Sequence, residues 1–443
     1  MNKVLHITAH LGGGAGKAIS GLVKCSEECS RDFKHTIIIL EKPEKELFID
    51  NCIREGIDVT VIEDLKEVIR HLSQADIVVL NWWHHPKIAE LLLNFPSIPV
   101  RLILWSHING CTYPFLPYEF SEEFNHVMFT CRYSFDNPLW DSRQKKWILD
   151  HTSLVYGMGE FTAEDFKYKC DYSIGRKFTV GYIGTLSYSK LNPDFIGACK
   201  EICKRIPSVE FVLVGELDQE LLEDINACSI KNHFKITGYL EDVAEISLTF
   251  DVFGYPLNNF NFATTENSLL EAMARALPVV ALKQGTEQYI IRDGETGFLA
   301  SGIEHYADIV EYLYKRSDER ERIGENARNH VIRNYSLLEN IERYHEACSN
   351  VIKMEKKSFN FSSVIGNKPY EIFLSSLGTY KSWFLNSLEL RLSKDTDKIC
   401  ELKKEASLLP QILKGKTKSS VEHFSTHFPE DEILQFWRKM LKY

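Results

Sequence analysis

FATTENSLLEAMARALPVVAL, from Phe262 to Leu282, followed by DGETGFL from Asp293 to Leu299, is the stretch on which the reading of this chain turns. Thr264 or Thr265 is placed to cap a helix. Leu269, Leu270, Met273 and Ala274 recur at helical spacing, and Pro278 stops the helix ahead of the apolar run Val279 to Leu282. Glu266 and Glu271 then fall in the first turns, where the helix dipole favours a carboxylate. A glutamate held there at the edge of a cleft is suited to sugar hydroxyls. The segment reads as loop, helix and buried strand.

The same alternation runs outward in both directions. Strands are expected at Val4 to Ile7, His35 to Leu40, Asp58 to Ile62, Ile77 to Leu80, Arg101 to Trp105 and His126 to Thr130. A second cycle opens at Phe178 to Ile183 and continues through Val209 to Val214, Phe234 to Thr237, Asp251 to Tyr255 and Val279 to Leu282. Strands separated by helices imply an α/β protein with parallel, doubly wound sheets. Two Rossmann-like domains facing a cleft, with ligands at the carboxyl ends of the strands, is the economical arrangement. The expected boundaries are 1–170 for the first domain and 171–352 for the second, the latter with a closing helix at 340–354. Residues 353–443 form a helical, locally basic extension, and the polar segment 160–177 reads as the linker.

Composition narrows the function. A chain of 443 residues with 44% hydrophobic and 26% charged residues has apolar mass for two cores. No run approaches the roughly 20 apolar residues of a membrane span, and the start, MNKVLHITAHLGGG, reads as a strand entering a turn rather than a leader. These features point to the cytoplasm. The net charge of -10 argues against nucleic acid as a partner. Eleven cysteines read as reduced thiols, with Cys25/Cys29 and Cys199/Cys203 packing in helices. No set of ligands stands at metal spacing, so no metal or other cofactor is expected. Asp395-Thr396-Asp397 is the one Asp-x-Asp, and it lies in the extension.

The glycine run Gly12-Gly13-Gly14-Ala15-Gly16-Lys17 is not a Walker A loop, because Leu11 and Ala18 occupy its required Gly and Ser/Thr positions. It remains a strand-loop-helix turn, either a phosphate approach or plain packing. GTLSYSK, Gly184 to Lys190, follows the first strand of the second cycle and carries Lys190 toward the cleft. Gly215, Gly238-Tyr239-Leu240 and the loop after Tyr255 end at the same rim. Trp82, Trp83 and His84 suggest an acceptor side, where aromatic faces stack on sugar rings; core packing is the equal alternative. Neither a facing carboxylate pair nor a Gly-x-Ser-x-Gly elbow offers a hydrolase.

From about Val4 to Ile352 the chain resembles the family-four group of retaining, nucleotide-sugar-dependent glycosyltransferases with the GT-B fold. Gly13-Gly14-Ala15-Gly16 matches that family's first loop, His107 its cleft histidine, Lys190 its diphosphate-binding lysine and Glu271 its second signature glutamate. The resemblance implies a nucleoside diphosphate sugar donor, with His107 and Lys190 in catalysis and Glu271 on the ribose. Around the donor it implies Gly13, Gly14, Gly184, Thr185, Gly215, Gly238, Tyr239, Leu240, Thr264, Thr265, Asn267 and Leu270. It further implies a glycan or lipid-linked acceptor in polysaccharide synthesis. Departures are specific: the first signature glutamate falls on Ala263, the loop arginine on Thr185, and the glycine before the proline on Ala276. Glu266 is the candidate to replace the missing carboxylate. The basic extension either brings the protein to an anionic membrane at the inner face or packs on the domains. A non-catalytic GT-B binding subunit is the alternative that Ala263 and Thr185 keep open.

Overall fold

The structure, a computed structural model, describes residues 1–43, 46–159, 161, 176–261, 264–392, 396–415 and 417–441. Most of the expected linker, Ala263, Asp395 and Lys416 lie outside the described residues. Contacts divide the chain into two compact units, one of residues 1–159, 262–264 and 337–443, the other of 160–261 and 265–336.

The first unit is built on seven strands: β1 (Asn2–Thr8), β2 (Phe33–Ile39), β3 (Asp58–Val61), β4 (Ile77–Trp82), β5 (Leu102–Ser106), β6 (His126–Phe129) and β7 (Thr152–Leu154). All pair in parallel, in the order β3-β2-β1-β4-β5-β6-β7. β7 was not foreseen. Its three residues, Thr152, Ser153 and Leu154, are only half-buried and give no apolar run.

The second unit carries β8 (Thr179–Ile183), β9 (Glu210–Val214), β10 (Phe234–Gly238), β11 (Val252–Tyr255), β12 (Val279–Leu282) and β13 (Phe298–Ala300). Their order is β10-β9-β8-β11-β12-β13, again parallel. Near-continuous apolar strands such as Val279–Leu282, buried throughout, are what a sheet covered on both faces requires. In each sheet the strand order reverses once, between β1 and β4 and between β8 and β11.

The helix Leu337–Val351 packs on the helix Gly13–Cys29 and so belongs to the first unit, which corrects its expected place as the closing helix of the second. Polar contacts secure it. Ser26 Oγ lies 2.7 Å from His345 Nε2 and 2.8 Å from His35 Nε2, and the Tyr344 hydroxyl lies 3.2 Å from His6 Nε2. The extension is helical as expected and shares the first unit's core, burying Phe361, Phe373, Phe384, Phe424 and Trp437 against it. Two of its lysines bond backbone carbonyls: Lys356 donates to that of Ala75 and Lys414 to that of Ser407. Among the described residues no helix is long and apolar enough to cross a membrane. The described cysteines are free thiols; Cys199 is buried, but Cys29, expected in a helix core, is exposed at the helix end.

Ala276, where a glycine was expected, has φ of 57°. That left-handed conformation costs an L-residue roughly 1–2 kcal/mol, part of which glycine's greater unfolded-state freedom would return. Ala276→Gly is therefore expected to stabilise the second unit by about 0.5–1 kcal/mol. Denaturant unfolding followed by far-UV circular dichroism checks this, and a loss of stability would contradict it.

Candidate active site

At the carboxyl ends of β8, β9 and β10 three glycines stand side by side. Gly184 N–H donates to the Val214 carbonyl and Gly215 N–H to that of Gly238, both at 2.9 Å. Gly215 is required by proximity: a Cβ there would lie 1.9 Å from the Gly184 carbonyl oxygen. The row leaves Thr185 and Tyr239 exposed, with Leu240 half-buried beside them.

Lys190 and Glu266 flank the point where this sheet reverses, the place where ligands bind in open α/β sheets. Lys190 is held by its loop, since its N–H donates to the Ser187 carbonyl and its carbonyl accepts from Asn258 N–H. Its ammonium donates to both oxygens of Glu266, at 3.1 and 2.9 Å. The Tyr255 hydroxyl donates to the same carboxylate, and Lys190 sits 5.7 Å above the Tyr255 ring. Glu266 itself is left-handed, with φ of 51°, and buried.

The helix presenting this carboxylate spans Asn267–Ala274, with Glu266 as its N-cap residue and no side-chain cap. This corrects the expectation that Thr264 or Thr265 caps it and that Glu266 lies in its first turn. The Glu266 carboxylate is drawn to Lys190 and Tyr255 and turned away from the helix N–H groups. Thr265 is buried, Thr264 half-buried, Leu270 in the core, and Asn267 and Glu271 half-buried along the helix.

Glu287, which the sequence gave no reason to single out, is a second buried carboxyl of this site. Burial, followed by the nearby charge of Glu266, pushes it up to about 8. At neutral pH it is mostly protonated, so it adds no negative charge beside the Lys190–Glu266 pair. A lone Glu in a loop between two strands reads as solvated, so only the fold reveals its burial.

In the first unit, His107 follows β5. Its N–H donates to the Trp82 carbonyl at 2.7 Å, and Nε2 lies 3.1 Å from Asn81 Oδ1. Asn81 donates its amide to the Ile7 carbonyl, so its oxygen accepts from His107 Nε2–H and leaves Nδ1 as the acceptor. Burial holds the ring down to about 3, hence neutral. Gly13 and Gly14 are exposed at the N-terminus of the helix Gly13–Cys29.

Trp82, Trp83 and His84 are buried, which corrects their expected role as open faces for an acceptor. Trp82 packs 5.0 Å from Phe120, and His84 stacks 4.8 Å from Phe424 of the extension. Aromatic residues of the extension cover this loop.

Residues 169–330 match the family described as Glycosyl transferases group 1. The matched stretch of this chain includes Gly184, Lys190, Glu266, Glu271 and Glu287. It is similar to the 2-deoxystreptamine N-acetyl-D-glucosaminyltransferase of Niallia circulans, 28% identical over 130 residues, which are 28% of this chain and 32% of that protein. It is also similar to the putative glycosyltransferase EpsD of Bacillus subtilis (strain 168), 27% identical over 187 residues, 41% of this chain and 47% of that one. The chain thus spans about a third to a half of the length of these curated relatives. The crystal structure of Anabaena Alr3699/HepE in complex with UDP-glucose resembles it with a TM-score of 0.61 at 17% identity, covering 79% of this chain and all of that one. The two sheets are those of the GT-B fold.

Proposed function

We propose that this protein transfers a hexose from a nucleoside diphosphate sugar to an acceptor hydroxyl with retention of configuration. The observation that carries the reading is the Lys190–Glu266 pair at the reversal point of the second sheet. Lys190 is the cation for the leaving diphosphate. It acts from a fixed loop, so its charge is in place before the bond breaks. Glu266, released from Lys190 when the diphosphate arrives, turns to hydroxyls of the donor sugar, with Tyr255 holding one of its oxygens. Glu271 binds the ribose. The resemblance to a UDP-glucose complex favours uridine as the base. A glycan or lipid-linked glycan is the acceptor that accords with the family reading.

Glu266→Gln keeps the shape and removes the charge. A hydrogen bond to an ionised group is worth about 1.5–3 kcal/mol, so turnover should fall roughly ten- to a hundredfold. Nucleotide release from a panel of nucleotide sugars, with product anomers assigned by NMR, tests both parts. Undiminished turnover would remove Glu266 from the mechanism, and an inverted product would remove retention.

A further inference from the structure

The other reversal point, between β1 and β4, carries a polar cluster that the donor reading leaves unused. His10 follows β1, Glu41 follows β2 and His85 follows β4, while the C-terminal extension lays Lys418 and His423 on the same edge. His85 Nε2 lies 3.2 Å from Glu41 Oε1, and the His85 and His423 rings meet edge-on at 4.7 Å. Lys418 Nζ donates to His10 Nε2 at 3.2 Å. The neighbouring Ser419 fixes this contact. Its hydroxyl lies 3.3 and 3.0 Å from the carbonyls of Trp83 and His84, and its own carbonyl accepts from the Tyr113 hydroxyl. Ser419 and His84 both hold positive φ, 69° and 59°, a backbone cost that recurs at functional sites.

Ligand atoms of His10, Glu41 and His85 lie within 4.8 Å of one another, a spacing that invites a metal ion. The hydrogen bonds oppose it. His85 Nδ1 accepts from Lys87 N–H at 3.2 Å, so the neutral ring keeps its proton on Nε2, aimed at Glu41. A metal-binding imidazole needs the reverse arrangement, with its second nitrogen donating.

The same logic assigns the other rings. An ammonium only donates, so His10 accepts on Nε2 and carries its proton on Nδ1. His423 Nδ1 accepts from Ser419 N–H at 3.1 Å, which leaves its proton on Nε2. Burial, joined for His10 by the charge of Lys418, holds these rings at about 3 and about 4. Burial raises the Glu41 carboxyl, but the hydrogen bond from His85 and the neighbouring imidazoles of His85, His10 and His423 together bring it below its ordinary value. Two N–H donors and one carboxylate, with Lys418 exposed and Glu41 and His423 half-buried, complement sugar hydroxyls. An anionic ligand would meet Glu41.

We propose that the C-terminal extension completes the acceptor subsite: Lys418 and His423, with Glu41, hydrogen-bond a neutral sugar ring at the carboxyl edge of β1, β2 and β4, and Lys418 sets the tautomer of His10 beneath it. This rests on the glycosyltransferase reading above. The test is imidazole ¹H–¹⁵N correlation spectroscopy on the full chain, titrated with methyl glycosides of glucose, galactose and N-acetylglucosamine, and with UDP-glucose on the same samples. At least one glycoside should move His423 saturably, with affinity about tenfold weaker in Lys418→Met and in His423-sparing Glu41→Gln, the loss of one charged hydrogen bond. Lys418→Met should also spread the His10 proton over both nitrogens. No glycoside-dependent shift, or an equal shift in Lys418→Met, overturns the proposal. UDP-glucose binding without a glycoside response leaves the donor reading standing and sinks this one; glycoside binding without UDP-glucose binding does the opposite.

Discussion

Replacing Lys190 by alanine is expected to lower transfer from the nucleotide sugar by about a hundred- to a thousandfold, the usual result of removing one preorganised charge-stabilising group. Thr185 stands where the resemblance expects an arginine, so no second cation is foreseen from that loop to share the diphosphate's charge. A stability loss comes with it. The Glu266 side chain is 3% exposed and that of Lys190 22%, so the deletion strands a buried carboxylate beside Glu287. Breaking a buried pair costs about 3–5 kcal/mol, and partial solvation of Lys190 places this case near the lower figure. The two effects separate in a double variant. Lys190→Ala with Glu266→Gln removes the stranded charge while Tyr255 still finds an oxygen to bond, so stability should return and activity should not. Far-UV circular dichroism under denaturant and single-turnover nucleotide release measure the two quantities. Recovery of activity in the double variant would show Lys190 to be a structural partner of Glu266 only.

Much of this site was legible because strand ends are legible. The apolar runs Val209 to Val214 and Val279 to Leu282 can only be buried strands, and the glycine or lysine that follows each is then carried to the carboxyl edge. Short edge strands are different: β7 and β13 have three residues each and too little hydrophobic pattern to announce themselves. Glu266 was singled out for its charge, yet its left-handed backbone and its bond to Lys190 depend on a loop 76 residues away. Glu287 needed burial, which no local pattern encodes. The extension was read as helical from its periodicity, but its docking on the first unit follows from aromatic complementarity between Phe373, Phe424 and the His84 loop. Such pairings across some 290 to 340 positions leave no trace in local sequence.

Acidification should unfold the first unit over a narrow range beginning below neutrality. His6, His10, His84 and His107 are each held at about 3 by burial, and His35 well below its ordinary value for the same reason. In the unfolded chain these rings take up protons near pH 6.5. Between that value and the native ones the unfolded state binds more protons, so stability is full above pH 6.5 and is lost as the pH falls. Each ring contributes about 1.4 kcal/mol per pH unit, and four together roughly 5, comparable to the whole stability of many domains. All seven tryptophans lie in the first unit, so their emission reports its unfolding alone. The emission should shift cooperatively near pH 5, and an unchanged spectrum down to pH 4 would refute the prediction. His84→Asn isolates one contribution. Asparagine tolerates the positive φ of that position and does not titrate, so the pH dependence should lose about 1.4 kcal/mol per unit. A slope equal to that of the native protein would mean that His84 is solvated, and that the extension does not seal it from water.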